Sequence, residues 1–294
     1  MPLTDNARGA AYMSASMAGY VVNDAIMKLL LVDLPLGQAI AMRGLVVVIM
    51  IGAVAASQRA LVVPVPRADR LLLALRLVGE GGATVCYLMA LKSLPLADAT
   101  AILQAMPLAV TLAAAIFLRE RVGWRRWLAI LAGFAGVLMI VRPGGDAFDL
   151  AALWAVAAVC FLTLRDIVTR RLSAALPSAF VTTCTALTIG AIGAAMMLSQ
   201  PLAPVAPWQV GLILATAPCL LVGYLFSVMT MRVGDVGFIA PFRYTILIWS
   251  IGLGIVVFGD LPDAPTLAGA GLVVGAGLFT FYRERALSRH AARD

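Results

Sequence analysis

Several ionisable side chains stand within apolar stretches that are long enough to cross a lipid bilayer. Glu80 lies in "LRLVGEGGATV", where neighbouring glycines remove side-chain bulk and let a ligand or another backbone approach. Arg76 stands four residues earlier and can pair with Glu80 on one helix face, and Arg43 is a second candidate partner. A charge at the centre of a membrane helix costs about 2.5–3.5 kcal/mol on insertion scales. Glu80 and Arg43 are therefore predicted to bind a small molecule. Glu80 is also predicted to carry a proton. The alternative is a structural Arg–Glu pair.

A second group of polar candidates lies where proline interrupts an apolar stretch. "IAPFRYT" (239–245) contains Arg243 and Tyr244, and Gln104 stands shortly before Pro107 in an earlier stretch. Proline removes a backbone hydrogen bond, and the freed carbonyl is tolerated in a membrane where protein or cavity water satisfies it. Arg243 could bind a carboxylate through paired hydrogen bonds, whereas pairing with an acid or with carbonyls of the protein is the alternative. Tyr244 and Gln104 are predicted to contact the same ligand.

The stretch "VVNDAIMKLLL" combines three polar residues with a lipid-soluble background. Asp24 and Lys28 stand four apart in the acid-first order that favours an ion pair, and Lys28 can extend its amine towards the membrane surface. "LRDIVTRRL" repeats the spacing with Asp166 and Arg170. These four residues are predicted to be gates or anchors at opposite ends of two related helices. Asn23 is predicted to contact the ligand.

Three aromatic side chains, Tyr87, Trp154 and Tyr224, complete the predicted ligand-binding set. Aromatic residues near the ends of membrane spans are also typical interface anchors, which is the alternative for each of them. Glycines in "GLVVG" (271–275) are predicted to permit close helix packing within the scaffold, with dimerisation as the alternative.

The composition requires lipid as the solvent for these segments. The 294-residue chain is 62% hydrophobic and 13% charged, against about 25% charged residues in a soluble domain. One histidine, scattered cysteines and the absence of H-E-x-x-H, G-x-S-x-G and Walker A patterns argue against an enzyme, a metal site, a cofactor or ATP hydrolysis. The net charge of +7 orients the protein in the membrane and requires no nucleic-acid partner.

Apolar runs predict an all-α membrane protein with ten spans. The spans are expected at 10–32, 36–57, 70–92, 96–118, 125–142, 149–170, 178–199, 208–231, 235–258 and 264–282. With the N-terminus in the cytoplasm, sixteen basic residues fall on the cytoplasmic side and three on the other. Because basic residues accumulate in cytoplasmic loops, both termini are predicted to be cytoplasmic.

The chain is predicted to contain two inverted five-helix repeats, residues 1–143 and 148–285, followed by a basic tail at 286–294. The matched residues are Asp24 with Asp166, Lys28 with Arg170, Pro35 with Pro177, Tyr87 with Tyr224 and Asp98 with Asp235. Because five is odd, the second half enters the membrane from the opposite side. Such repeats are typical of secondary transporters with a site near the membrane midplane.

The ten-span pattern, the junction "LPLADATAILQAMPLAVTLAAAIFLRERVGWRRWLAILAGFAGVLMIV" and its weaker echo at 235–280 resemble the drug/metabolite transporter superfamily, EamA type. The resemblance implies a central cavity and a role in moving small metabolites across a bacterial inner membrane. Its YddG-like branch implies export of amino acids, including aromatic ones. The two repeats predict alternating access, Glu80 makes protons a candidate coupling ion, and a monomer is favoured. The alternatives are an uptake carrier for another metabolite, such as S-adenosylmethionine, and an intramembrane lipid-modifying enzyme.

Overall fold

The computed structural model describes residues 5–57, 63–117, 123–143, 150–173, 176–230, 233 and 236–291. All regular structure within these ranges is helical, as predicted. Residues 144–147 between the two predicted repeats, the matched residue Asp235 and the last tail residues, 292–294, lie outside them.

The helices follow the apolar runs closely. In chain order they are α1 (Asp5–Asp33), α2 (Leu36–Ser57), α3 (Arg67–Ser93), α4 (Leu96–Leu103), α5 (Met106–Phe117), α6 (Trp124–Val141), α7 (Ala151–Thr169), α8 (Ser178–Met197), α9 (Pro207–Thr230), α10 (Val236–Ile239), a 3₁₀ turn (Ala240–Tyr244), α11 (Thr245–Leu253), a π-helical turn (Gly254–Phe258) and α12 (Ala264–Ala291). Pro35, Pro95 and Pro177 each directly precede a helix, where the missing proline N–H costs no helical hydrogen bond.

Among the described residues, ten helical stretches are long and apolar enough to cross a membrane. Two of the ten spans are not continuous α-helix. Span Leu96–Phe117 combines α4 and α5, and span Ala240–Phe258 begins with the 3₁₀ turn. The prediction of an all-α protein with ten spans is confirmed; the sidedness of the termini stays a prediction.

By their contacts, the helices form two compact units, each discontinuous in sequence. The first unit contains Met1–Ala25, Leu94–Leu153 and Cys219–Asp294, and the second contains Ile26–Ser93 and Trp154–Pro218. Each unit takes helices from both predicted halves, so the compact units differ from the sequence halves 1–143 and 148–285. In the second unit α2 packs mainly on α8, and in the first α6 packs mainly on α12. Each pair joins helices of the same rank in the two halves, which is consistent with the predicted repeat.

Close approach of α6 and α12 depends on one glycine from each helix. A Cβ atom at Gly136 or at Gly269 would lie 2.6 Å from the carbonyl oxygen of the other glycine. The expectation for "GLVVG" was wrong, because a Cβ atom at Gly271 or at Gly275 would meet no neighbouring atom within 4 Å. The rotation of α12 directs other small residues towards α6.

Replacing Gly136 by alanine is expected to lower the free energy of unfolding by about 1–3 kcal/mol, because backbone atoms must move apart. The same change at Gly271 meets open space and is expected to be neutral or stabilising by about 1 kcal/mol, owing to the better helix propensity of alanine. Thermal unfolding of both variants in one detergent compares the two sites. Equal shifts of the melting temperature would contradict the assigned packing face.

An ion pair links the end of α6 to the start of α12. Arg142 follows α6 with a left-handed φ of 49°, and its guanidinium Nη2 donates to both carboxylate oxygens of Asp263. Asp263 also accepts the Thr266 backbone N–H at 3.0 Å, which caps α12. The hydrogen bond from Arg142, followed by that from Thr266, lowers the pKa of Asp263 from 3.8 to about 2.

The Asp263 pair is expected to make stability depend on acidic pH. The pKa is depressed in the folded protein, so the stabilisation is fully present above pH 4 and is lost as the pH falls through about 2. The Asp263→Asn variant should therefore unfold at a lower temperature than the parent at pH 5, and the difference should narrow from pH 4 to pH 2. A difference that is constant over this range would show that the carboxylate charge has no role.

Candidate functional site

The second unit contains a network of four charged side chains from α3 and α7. Arg165 Nη1 donates to Glu80 Oε1 and Oε2 at 3.3 and 3.2 Å, and Arg165 Nε donates to Asp166 Oδ1 at 2.8 Å. Arg76 Nη1 lies 3.5 Å from Glu80 Oε2 and 3.4 Å from the Thr185 hydroxyl on α8. Two guanidinium groups thus neutralise two carboxylates, and the shared Glu80 ties α3 to α7.

Glycines next to Glu80 allow this contact between helices. A Cβ at Gly79 would lie 3.0 Å from the Arg165 backbone nitrogen, and one at Gly82 would lie 2.7 Å from the Phe161 ring. The absence of side chains at Gly79 and Gly82 therefore leaves room for α7. Of the two open expectations for these glycines, approach of another backbone is the one that the structure contains.

Arg165 was missed as a partner of Glu80, because counting basic residues by side assigns it to a cytoplasmic end. It lies four residues before the end of α7 and reaches back to the middle of α3. The pairing of Arg76 with Glu80 was predicted from their spacing and is present. Arg43, the other candidate partner, lines a small cavity between α2 and α8 together with Gly44 and Ala186.

In the first unit, Arg243 and Tyr244 lie in the 3₁₀ turn between α10 and α11, at the start of the span Ala240–Phe258. Arg243 is exposed, and among the described residues it forms no ion pair with an acid. The Tyr244 hydroxyl contacts α12 where Gly277 leaves room for it. The predicted interruption is therefore present, and it presents a guanidinium group without a carboxylate partner.

The other interruption lies between α4 and α5 at Gln104 and Ala105. Gln104 is half-buried, and its backbone N–H donates to the carbonyls of Thr100 and Ala101 at 3.3 and 3.2 Å. These bonds end α4 before Pro107, which cannot donate one of its own. Gln104 thus occupies the position that was predicted for it, at a break within a span.

Asn23 carries an unsatisfied polar atom inside the first unit. Its side chain is 2% exposed, its Nδ2 donates to Asp24 Oδ1 at 3.0 Å, and its Oδ1 has no hydrogen-bond partner in the described structure. Burying an unpaired amide oxygen costs roughly 1–3 kcal/mol. Such an atom is a candidate to receive a hydrogen bond from a ligand.

The remaining candidates are spread over both units. Lys28 Nζ donates to the Leu91 carbonyl at 3.2 Å, near the end of α3. Arg170 is exposed in the turn after α7. Tyr87 on α3 is half-buried, whereas Trp154 and Tyr224 are 41% and 54% exposed. No ligand-binding role is tested by these placements, and the assignments stay predictions.

A buried contact between α3 and the segment after α7 was also missed. Asp69 is 3% exposed and accepts the backbone N–H and the hydroxyl of Ser173, the N–H at 3.2 Å. Asp69 lies one residue before the span predicted at 70–92, where an acid is ordinarily solvated. No apolar or spacing pattern in the sequence indicates this pair.

The chain is similar in sequence to a family of transporters and to several named transporters. Residues 7–142 match the EamA-like transporter family. An S-adenosylmethionine uptake transporter of Rickettsia felis is 28% identical over 66% of this chain and 66% of its own length. A riboflavin transporter of Vibrio cholerae is 29% identical over 66% and 65%, and the pseudopaline exporter CntI of Pseudomonas aeruginosa is 28% identical over 65% and 68%.

The alignment to the Rickettsia felis transporter spans slightly less than two thirds of that protein's own length. A crystal structure covers 93% of this chain and 98% of its own, with a TM-score of 0.61 and 22% identity. At that identity the likeness shows a shared fold alone. The three named relatives carry different solutes, and amino-acid export is not among their names.

Proposed function

Because residues 7–142 match the EamA-like transporter family, we propose that this chain is a secondary transporter of small metabolites in a bacterial inner membrane. Both termini face the cytoplasm, and two five-helix repeats alternate access to a site near the membrane midplane. The observation that carries the proposal is the departure from continuous α-helix in two spans, at Gln104 and at Arg243. These spans hold the same rank in the two predicted halves, and paired broken helices are the strongest sequence pointer to a transporter site.

The proposed substrates are solutes that carry an amino-acid group, with export of amino acids as the leading assignment. Arg243 binds the carboxylate, because a guanidinium group offers two parallel donors to a carboxylate and this one has no acid partner among the described residues. Asn23 Oδ1 accepts a hydrogen bond from a donor such as an amine. Uptake of S-adenosylmethionine is the second candidate, favoured by the relative of that name and by the amino-acid group of that molecule.

Glu80 has a different proposed role from Arg243. Its carboxylate already accepts hydrogen bonds from Arg165 and Arg76, so a ligand amine would have to displace them. Glu80 is a carboxylate held inside a membrane span by two guanidinium groups, and it remains our candidate for proton coupling.

Flux through proteoliposomes tests the proposal. Vesicles with purified protein, and matched vesicles without it, are loaded with labelled L-phenylalanine, L-threonine, S-adenosylmethionine or riboflavin, and efflux and uptake are followed. We expect saturable, protein-dependent flux of at least one solute that carries an amino-acid group. Flux equal to that of protein-free vesicles for the three amino-acid-bearing solutes would overturn the substrate assignment, and the same result for all four would overturn the transporter assignment.

A further inference from the structure

A cavity in the described part of the first unit lies on the surface of the α6–α12 pair. Its volume is about 490 Å³. Alanines, among them Ala132 and Ala276, form its floor, and the larger side chains of Trp124 and Phe279 line it as well. Small floor residues between bulky ones create a groove on the surface of two helices that are apolar enough to cross a membrane.

One end of this groove is cationic. Arg125 in the first turn of α6 and Arg283 near the end of α12 both line it, and the Arg125 guanidinium carbon lies 5.3 Å from the Trp124 ring centroid. Neither arginine pairs with an acid in the ranges that the structure describes. By the predicted orientation both arginines stand at the cytoplasmic membrane surface, where an indole ring also lies favourably.

We propose that this groove binds an anionic phospholipid. An acyl chain would lie along the apolar walls, and the phosphate of the head group would lie between the two guanidinium groups. Charge complementarity carries the assignment, because basic pockets between membrane helices on the cytoplasmic side suit anionic head groups and arginine binds phosphate with two donors. A zwitterionic lipid offers the same chains but also a choline cation that the two arginines would repel.

Native mass spectrometry of the intact protein with phosphatidylglycerol or phosphatidylcholine tests the site. The Arg125→Gln/Arg283→Gln variant is expected to bind phosphatidylglycerol at least tenfold more weakly than the parent. The matched control, Arg67→Gln/Arg171→Gln, removes two exposed arginines of the second unit from the same predicted membrane surface and should bind as the parent does. Thermal unfolding confirms that each variant is folded.

A third variant, Ala132→Phe, fills the groove while both charges remain, and it is also expected to lose bound phosphatidylglycerol. Equal weakening of phosphatidylglycerol binding in Arg125→Gln/Arg283→Gln and in Arg67→Gln/Arg171→Gln would overturn the proposal in favour of a general effect of basic charge. Equal retention of phosphatidylcholine and phosphatidylglycerol by the parent, unaltered binding in Ala132→Phe, or complete displacement of the lipid by inorganic phosphate would each overturn it too.

Discussion

Replacing Arg165 by methionine is expected to lower the free energy of unfolding by up to about 3–5 kcal/mol, because that is the cost of removing one partner of a fully buried ion pair and this pair is part-buried. Methionine retains much of the side-chain length but none of the donors. Glu80 would keep only the longer contact with Arg76, at 3.5 Å, and Asp166 would lose a 2.8 Å hydrogen bond. Thermal or denaturant unfolding in detergent, with the helical circular-dichroism signal as the readout, measures the loss.

A double-mutant cycle separates this ion pair from a general effect of the substitution. In Glu80→Gln/Arg165→Met the uncompensated carboxylate is gone, so the double variant should be more stable than Arg165→Met alone. The matched control is Arg171→Met, which removes an exposed arginine from the turn after the same helix and should change stability by less than about 0.5 kcal/mol. Additive effects of the two single substitutions would contradict a direct Glu80–Arg165 interaction.

Replacing Arg243 by alanine is expected to reduce transport of carboxylate-bearing solutes by at least tenfold. A hydrogen bond to a charged group is worth about 1.5–3 kcal/mol, and each 1.4 kcal/mol corresponds to a factor of ten in affinity. Concentration-dependent flux in proteoliposomes gives the maximal rate and the half-saturating concentration for each solute.

Two controls distinguish carboxylate recognition from damage to the fold at Arg243. Arg243→Lys retains the charge but not the paired donors, so it should fall between the parent and the alanine variant. A solute in which an amide replaces the carboxylate should be transported equally by the parent and by Arg243→Ala. Unchanged flux and affinity of Arg243→Ala with every transported solute would remove Arg243 from the site.

Long-range placement limits what the sequence could predict about the ionic network. The ten spans and the interruptions at Gln104 and Arg243 follow from local causes, because apolar runs must find lipid and proline lacks an N–H donor. The Glu80–Arg165 contact joins residues 85 positions apart. Counting basic residues by side cannot distinguish an arginine that remains at the membrane surface from one that turns inward, so Arg165 was assigned to the surface.

Helix rotation explains the error at the α6–α12 contact. Most positions on α12 up to Phe281 are apolar or small, so the sequence contains little polar–apolar periodicity to indicate which face meets a neighbour. Gly271 and Gly275 satisfied the spacing expected of a close-packing motif, yet Gly269 is the residue that meets Gly136.

The repeat was inferred from matches along the chain, whereas the two compact units combine helices from both halves.

Counterflow in proteoliposomes tests the proposed alternating access most directly. Vesicles containing the protein are preloaded with a high concentration of the unlabelled solute that gave the highest saturable flux, and a trace of the labelled solute is added outside. A carrier that exposes one site to each side in turn is predicted to accumulate label transiently above the outside concentration, and Arg243→Ala should abolish this overshoot when the solute bears a carboxylate. Monotonic entry of label at the same rate in preloaded and empty vesicles would contradict the account.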